Sequence, residues 1–265
     1  MTRPRRAFFD SPLGQAHYIE AGPREGTPTV LLHQTPRSTD EFAEALPLLA
    51  VRRRVIALDT PGYGCSDRVA GEPQVADYAG VVRALLDHLG VAQADLVGHH
   101  TGAIVAIECA AAWPDRVRRL VLSGPMYLDE QTRLELAPQF QQWAPDPAGL
   151  HLIEKWNRMA AWTSDRGLLQ RLVVDLFRAG EHSEQGHFAI AAYRMEDRVS
   201  MVKCPVLLIY GEGDPFATPE ANRRRMRSAL PQVREVLLKG GVFLPNEAPE
   251  AFASATLDFL ESCSP

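Results

Sequence analysis

The sequence predicts an α/β fold in which helices cover both faces of a mostly parallel, doubly wound sheet. Short apolar runs alternate with longer segments of helical periodicity along most of the chain. In addition, a buried run at 94–97 is followed at once by Gly98-His99-His100-Thr101-Gly102 and then by small residues at 103–112. This order predicts a strand, a sharp turn that pushes one side chain out of the sheet, and a closely packed helix.

The individual elements follow from local patterns of apolar and turn residues. Strands are predicted where apolar and β-branched residues cluster, at 14–21, 30–33, 54–59, 94–97, 117–123, 205–210 and 233–238. Core helices are predicted at 39–49, 76–89, 103–112, 219–229 and 249–260. From Pro125 to about Met201 the pattern indicates helices without a buried strand. We therefore expect a core formed by 1–125 and 202–265 with a helical insertion at 126–201.

Composition excludes several functional classes. The chain has 265 residues, 46% of them hydrophobic and 23% charged, which is typical of a globular protein with a large core. Its net charge is −5 and no extended basic stripe is present, so nucleic acid is not an expected partner. No apolar run approaches the roughly 20 residues that span a bilayer, and the first residues lack the secretory signal pattern, so we expect no membrane partner and a cytoplasmic location. The four cysteines form no CxxC pair, which favours free thiols.

Several further blocks carry a resemblance that extends over nearly the whole chain. Residues 30–36, VLLHQTP, resemble the strand and HGxP loop of α/β-hydrolases of the epoxide-hydrolase and esterase type, with Gln34 at the usual glycine. Residues 55–67 resemble the next strand and its GxGxS loop. The block 205–215, PVLLIYGEGDP, resembles the late strand whose loop carries the triad acid, and 239–244, KGGVFL, resembles the loop that normally reads GGHF. The fold implied is an α/β-hydrolase core with a helical cap.

The same resemblance implies the catalytic positions and reveals two departures. The run from Gly98 to Gly102 matches the nucleophile elbow, with His100 in the place of the nucleophile. Asp214 matches the triad acid, whereas Val242 stands where the family has its catalytic histidine. One triad position is therefore kept and two are replaced.

An imidazole at the elbow has its own chemistry. His100 precedes a helix whose positive end disfavours an imidazolium, so we expect a neutral ring that acts as a base without a second histidine. The resemblance implies that the backbone N–H groups of Thr35 and Thr101 form an oxyanion hole, which does not depend on the elbow side chain. For Asp214 two states remain open: it pairs with another side chain, such as one from the insertion, or it stays a poorly solvated carboxylate with a raised pKa.

Aromatic residues of the insertion indicate the kind of ligand. Trp143, Trp156 and Trp162 lie there, and we expect them to contribute to an apolar pocket for a small hydrophobic or aromatic molecule with one carbonyl. The other residues expected at the pocket are Gln34, His99, Val242 and Phe243.

His99 and His33 are expected to be structural histidines. His99 precedes the elbow residue, where a side chain points back into the protein, and His33 occupies a structural position of the HGxP loop. A metal bound by these two and His100 is conceivable, but no HExxH pattern or CxxC pair accompanies them. We therefore expect neither a metal nor a cofactor.

Three functions fit these observations. The first is hydrolysis of an ester, lactone or similar activated carbonyl compound, with His100 activating water or forming an acyl-imidazole. The second is a cofactor-free lyase, isomerase or cyclase reaction in which His100 moves a proton next to a carbonyl. The third is a noncatalytic protein that has kept the pocket for binding. Fold analogy places hydrolysis first.

Overall fold

Eight strands form one sheet in the computed structural model, which describes residues 3–262. The strand order is β1-β2-β4-β3-β5-β6-β7-β8. β1 and β2 are antiparallel to their neighbours, and every pairing from β4 to β8 is parallel. The strands are β1 Arg5–Ser11, β2 Gly14–Ala21, β3 Thr29–Leu32, β4 Val55–Leu58, β5 Ala94–His99, β6 Val117–Ser123, β7 Val206–Gly211 and β8 Val233–Leu238. The predicted α/β architecture is confirmed.

The central strands are buried along their whole length. Every residue of β3, β4, β5 and β7 is buried, because helices cover both faces of the sheet. This double burial explains why these strands appear in the sequence as continuous apolar runs. β1 was not predicted, since its alternation of exposed and buried residues at the edge of the sheet includes charged side chains.

Helices on the two faces enclose two apolar cores, one against α2 and α3 and the other against α1 and α10. The core helices are α1 Ala45–Leu49, α2 Val75–His88, α3 Thr101–Ala112, α8 Glu220–Ala229, α9 Leu244–Glu247 and α10 Pro249–Glu261. The single helix predicted at 39–49 is instead a 3₁₀ turn, Thr39–Phe42, followed by the short α1. The division follows from Pro47, whose ring excludes a continuous helix through the carbonyl of residue 43.

Only helices lie between β6 and β7 among the described residues. They are α4 Glu130–Leu136, α5 Leu150–Ala160, α6 Arg166–Ala179 and α7 Gln185–Ala192, with short 3₁₀ turns between and after them. We call residues 126–201 the helical insertion. No helix within residues 3–262 combines the length and apolar character needed to cross a membrane.

Buried ion pairs attach the helical insertion to the core. Arg37, whose side chain is 1% exposed, donates from Nε to the Asp175 carboxylate of α6 at 2.9 Å. The Ser38 hydroxyl donates to the other carboxylate oxygen at 2.8 Å, and Arg171 of α6 reaches Asp40 at 2.6 Å. Because Arg37, Ser38 and Asp175 are shielded from water, their contacts hold α6 against the core, and the partly exposed Arg171–Asp40 pair adds to them.

Candidate active site

The turn after β5 has the strained geometry that the sequence predicts. His100 adopts φ 44° and ψ −110°, in the region of positive φ that few side chains accept. A Cβ atom on Gly98 would overlap the carbonyl of Gly102, and one on Gly102 would overlap the carbonyl of Leu32. Both glycines are therefore required for α3 to pack against the sheet, and the turn presents the His100 side chain at the carboxyl edge.

His100 and Asp214 contact each other directly. Nε2 of His100 lies 3.1 Å from Oδ2 of Asp214, and the two side chains are 12% and 2% exposed. The geometry at Nε2 does not meet the criteria for a hydrogen bond. The two groups are nevertheless as close as the members of an ion pair. Gly124 makes the approach possible, because a Cβ there would lie 2.8 Å from Nε2. The elbow histidine thus occupies the space between the elbow and the acid.

Asp214 is held as an ionised carboxylate. Burial raises its pKa, but the His100 ring and the backbone N–H groups of Phe216 and Ala217 outweigh this effect, and the pKa falls below its usual range. Those two N–H groups donate to Oδ1 at 2.9 and 3.3 Å, which leaves Oδ2 for His100. Of the two states left open, the raised pKa is therefore wrong and the paired state is found. The partner is not a side chain of the insertion but the elbow residue itself, whose ring is long enough to reach the acid.

The second nitrogen of His100 is available to a ligand. Its Nε2 is buried against the acid, the ring lines the main cavity, and Nδ1 has no hydrogen-bond partner among the described residues. A carboxylate beside one ring nitrogen holds the proton there and leaves the other nitrogen as the base. His100 and Asp214, which we call the dyad, are arranged so that Nδ1 can accept a proton from a molecule in the cavity.

His99 has a structural role. One ring nitrogen contacts the Ser123 hydroxyl at 2.9 Å and the other donates to the backbone carbonyl of Val242 at 2.8 Å. Burial, together with the neighbouring His100, lowers the pKa of His99 to about 3. A neutral ring with both nitrogens occupied is not a second base, and its bond to residue 242 fixes the loop that faces the dyad.

The predicted oxyanion hole differs from expectation in one of its two donors. The Thr35 N–H, buried at the end of the HGxP-like loop, donates to Oγ1 of Thr101 at 2.6 Å. The Thr101 hydroxyl in turn reaches the Thr35 hydroxyl oxygen at 3.1 Å. The Thr101 N–H belongs to the first turn of α3, where a helix has no internal acceptor. Of the two predicted donors, the Thr101 N–H therefore has no acceptor among the described residues, whereas the Thr35 N–H is bonded to the Thr101 hydroxyl.

Gln34 is held by a buried carboxylate. Glu41 accepts its backbone N–H and its side-chain amide, both at 2.8 Å, and the amide lies 3.3 Å from the Val242 carbonyl. Burial raises the pKa of Glu41 despite the nearby Arg37. Gln34 thereby joins the two loops that border the dyad, a role that glycine at this position could not fill.

A cavity of about 400 Å³ opens above the dyad between the core and the helical insertion. Its walls are mostly apolar. Of the residues predicted from sequence, the cavity is lined by Gln34, Thr35, His100, Thr101, Trp162, Val242 and Phe243. A volume of this size fits a small organic molecule.

Two predicted tryptophans lie elsewhere. The Trp143 indole donates to the Ser183 hydroxyl at 2.8 Å and stacks on His151, so it packs within the helical insertion. Trp156 is 40% exposed at the surface. Composition identified the aromatic segment, but the direction of each ring depends on helix rotation, which single residues do not reveal.

The cavity also contains residues that the sequence did not single out. Met159 and Phe140 add apolar surface from the helical insertion, and Arg158 and His187 add polar groups. Phe216 packs against Trp162 with ring centroids 5.2 Å apart. Helical spacing does not group Arg158 with Trp162, because α5 ends at Ala160 and Trp162 lies in the turn that follows it.

The histidines considered for a metal are already occupied. His33 contacts the carbonyl of Gln34 through Nδ1 at 2.8 Å and accepts the Thr60 N–H through Nε2 at 2.9 Å. With His99 also bonded at both nitrogens, neither offers a free lone pair to an ion beside His100.

Comparisons with known proteins identify several relatives of the chain. Over 144 residues the chain is 36% identical to the dihydrolipoyllysine-residue acetyltransferase component of the acetoin cleaving system of Pseudomonas putida, a stretch that is 49% of this chain and 39% of that protein. It is 24% identical over 264 residues to the (E)-2-((N-methylformamido)methylene)succinate hydrolase of Acinetobacter baylyi, covering 93% of this chain and 94% of that protein.

A hydrolase from Pseudomonas aeruginosa PA01 has a similar structure, with a TM-score of 0.84 at 24% identity over 97% of this chain and 99% of that one. Relatives that match along nearly their whole length are named as hydrolases of small organic compounds. The family described as the alpha/beta hydrolase fold matches residues 27–245. The strained elbow, the retained acid and this match lead to one conclusion: the chain belongs to the α/β-hydrolase fold family.

Proposed function

We propose that the protein hydrolyses a small hydrophobic or aromatic ester, lactone or related carbonyl compound, with the dyad as its catalytic base. The observation that carries this proposal is the 3.1 Å contact between Nε2 of His100 and Oδ2 of Asp214, in a ring that lines the cavity and whose Nδ1 is bonded to no described residue. Each proton-handling group comes from the chain, so the proposed reaction uses no cofactor.

The reaction begins with water between Nδ1 of His100 and the carbonyl carbon. As the oxygen of water attacks that carbon, Nδ1 takes its proton, and the Asp214 carboxylate stabilises the imidazolium that forms. The tetrahedral intermediate then expels the leaving oxygen, which receives the same proton from Nδ1. One water is consumed, an acid and an alcohol are released, and His100 returns to its neutral state without a covalent intermediate.

The negative charge on the former carbonyl oxygen falls next to Thr101. Its backbone N–H is the first donor to this oxygen. Its hydroxyl accepts the Thr35 N–H at 2.6 Å and donates to Oγ1 of Thr35 at 3.1 Å, so it becomes the second donor by turning its proton from Thr35 to the oxyanion. In this proposal the Thr35 N–H acts through the Thr101 hydroxyl.

One observation favours proton transfer without hydrolysis as the second candidate. Since the Thr35 N–H is occupied by Thr101, the site offers one free backbone donor, and an enolate spreads its charge more widely than a tetrahedral oxyanion. The dyad would then remove a proton beside a carbonyl, as a lyase, isomerase or cyclase requires.

Product analysis in H₂¹⁸O tests the proposal. The wild-type protein, His100→Gln and the control His182→Gln are incubated with a panel of activated esters and lactones. His182 is a matched control because it lies in the helical insertion and does not line the cavity. We expect one ¹⁸O atom in the acid product of the wild type and of the control, and a rate lower by about 10² to 10⁴ in His100→Gln.

Two results would redirect the assignment. Exchange of a substrate C–H with deuterium, without ¹⁸O uptake, would favour the second candidate. Full hydrolytic activity of His100→Gln would contradict the proposed base.

A further inference from the structure

Arg158 differs from the other charged groups of the cavity. Among residues 3–262, two Arg or Lys side chains line the cavity, and no Asp or Glu does. Arg37 is bonded to Asp175 and Asp40, at 2.9 and 3.0 Å. Arg158, on α5, makes no hydrogen bond and no ion pair within the part of the chain that the structure describes. Arg158 is exposed at the rim of the cavity, and no other described side chain takes up the donors of its guanidinium.

The nearest acidic influence on Arg158 does not neutralise it. The pKa of Glu184 is lowered, although burial alone would raise it. The main cause is the hydrogen bond with His187 at 2.7 Å, and the charges of Arg158 and Lys155 add to the effect. One carboxylate thus serves three basic side chains, and it bonds to the histidine. Lys155 is paired with Glu154 at 3.6 Å, so Arg158 is the one of these three basic groups that has no ion-pair partner among the described residues.

We propose that Arg158 is an anion subsite and that the ligand carries a carboxylate as well as the carbonyl that reaches His100. A guanidinium binds a carboxylate through two parallel hydrogen bonds. Arg158 carries one positive charge, and the nearby Glu184 already offsets part of it. A ligand group with one negative charge, a carboxylate, is therefore favoured over a phosphate dianion. The apolar wall with Met159 and Trp162 contacts the body of the ligand. The carbonyl part of this inference rests on the proposed function, whereas the carboxylate part does not.

Binding measurements separate these two parts. Calorimetry is carried out with a graded series of phenylalkanoic acids, their primary amides and the matching phosphonates. The proteins are wild type, Arg158→Gln, Arg158→Lys and Arg166→Gln. Arg166 is the matched control, because it is an exposed arginine of the helical insertion that does not line the cavity. Circular dichroism and thermal melting of each variant verify that the fold is unchanged.

At least one acid is expected to bind the wild type on the order of 10 to 100 times more tightly than its amide. Arg158→Gln should remove this preference, Arg158→Lys should keep part of it, and Arg166→Gln should keep all of it. The inference is overturned if no acid in the series is preferred, if the preference survives in Arg158→Gln, or if the phosphonates bind more tightly than the acids.

A turnover arm uses the 4-nitrophenyl monoester of a dicarboxylic acid and its neutral methyl ester. The expected loss in Arg158→Gln lies in KM for the charged ester alone. If neither ester is hydrolysed while the acid preference persists in calorimetry, the hydrolytic proposal fails and the subsite stands. If wild type and Arg158→Gln hydrolyse both esters equally well, the hydrolytic proposal stands and the carboxylate subsite is wrong.

Discussion

His100 and Asp214 meet across the carboxyl edge of the sheet, with Nε2 and Oδ2 3.1 Å apart, although 113 positions separate them in sequence. In a serine enzyme of this fold the same span is bridged by two side chains. The imidazole bridges it alone, because it extends further from the elbow than a hydroxymethyl group does. A base and its orienting acid are thereby retained without the loop histidine.

The first prediction concerns the acid. Asp214→Asn keeps the shape of the side chain, but its amide can donate to Nε2 and so favour the wrong tautomer of His100. We expect kcat to fall by about 10² to 10⁴, with KM nearly unchanged. Steady-state kinetics on the best ester of the panel measures this. Activity within twofold of wild type would mean that Asp214 does not orient the base.

The lowered pKa of Asp214 also predicts an effect on stability. An acid whose pKa is lower in the folded state than the usual 3.8 stabilises the fold above that pH, and this contribution is lost as pH falls through the lower, folded value. The free energy of unfolding of Asp214→Asn should therefore begin to approach that of wild type only as pH falls below 3.8, and should reach it below the lower, folded value. Urea titrations of both proteins at neutral and acidic pH compare them, because other titrating groups cancel in the difference. A difference that does not change with pH would contradict the shift.

Thr101 tests how the developing oxyanion is stabilised. Thr101→Ala removes the hydroxyl that lies between the cavity and the Thr35 N–H, and we expect kcat to fall on the order of 10²-fold. Thr101→Ser keeps the hydroxyl and should stay within a few-fold of wild type. A rise in kcat for Thr101→Ala would show instead that the hydroxyl blocks the Thr35 N–H and that substrate has to displace it.

The buried contacts that attach the helical insertion to the core should contribute to the free energy of unfolding. Asp175→Ala leaves the buried Arg37 and Ser38 without one of their acceptors, so we expect a loss of about 3 kcal/mol in the free energy of unfolding. Asp165→Ala is the matched control, because it removes an exposed helix cap of α6 and should cost about 1 kcal/mol. Urea denaturation measures both. Equal losses would show that the buried contacts do not hold the insertion.

Restoring the usual triad residues is the most direct test of the family relationship. In His100→Ser with Val242→His, Asp214 loses its present partner and can orient a histidine from the loop that lines the same cavity. We expect modest hydrolysis of short 4-nitrophenyl esters and labelling by a fluorophosphonate. Neither single variant should show them, since each lacks half of one catalytic unit.

The wild-type protein is the control for that labelling. Ser123, the serine closest in sequence to the elbow, is fully buried and bonded to His99, so no fluorophosphonate adduct is expected. Stoichiometric labelling of the wild type would contradict the assignment of His100 to the elbow.

The sequence alone predicted the elements whose signals are local. Gly98 and Gly102 predicted the elbow because their close packing permits no side chain, and the apolar runs predicted the buried strands. The partner of Asp214 was missed, since that contact depends on how far a ring reaches across a cavity. The bond between Thr35 and Thr101 was missed for a similar reason: it depends on a side-chain rotamer, which no spacing of residues specifies.

The bond from His99 to the carbonyl of Val242 makes position 242 a natural place for protein engineering. The backbone carbonyl of Val242 accepts a hydrogen bond from Nε2 of His99 at 2.8 Å and another from the Gln34 amide at 3.3 Å. Val242 also lines the cavity. The geometry of the loop is therefore independent of the residue that occupies it. A saturation library at 242 can offer acids, bases, thiols or amides to the same bound molecule, with the main chain of the loop held in place by His99 and Gln34.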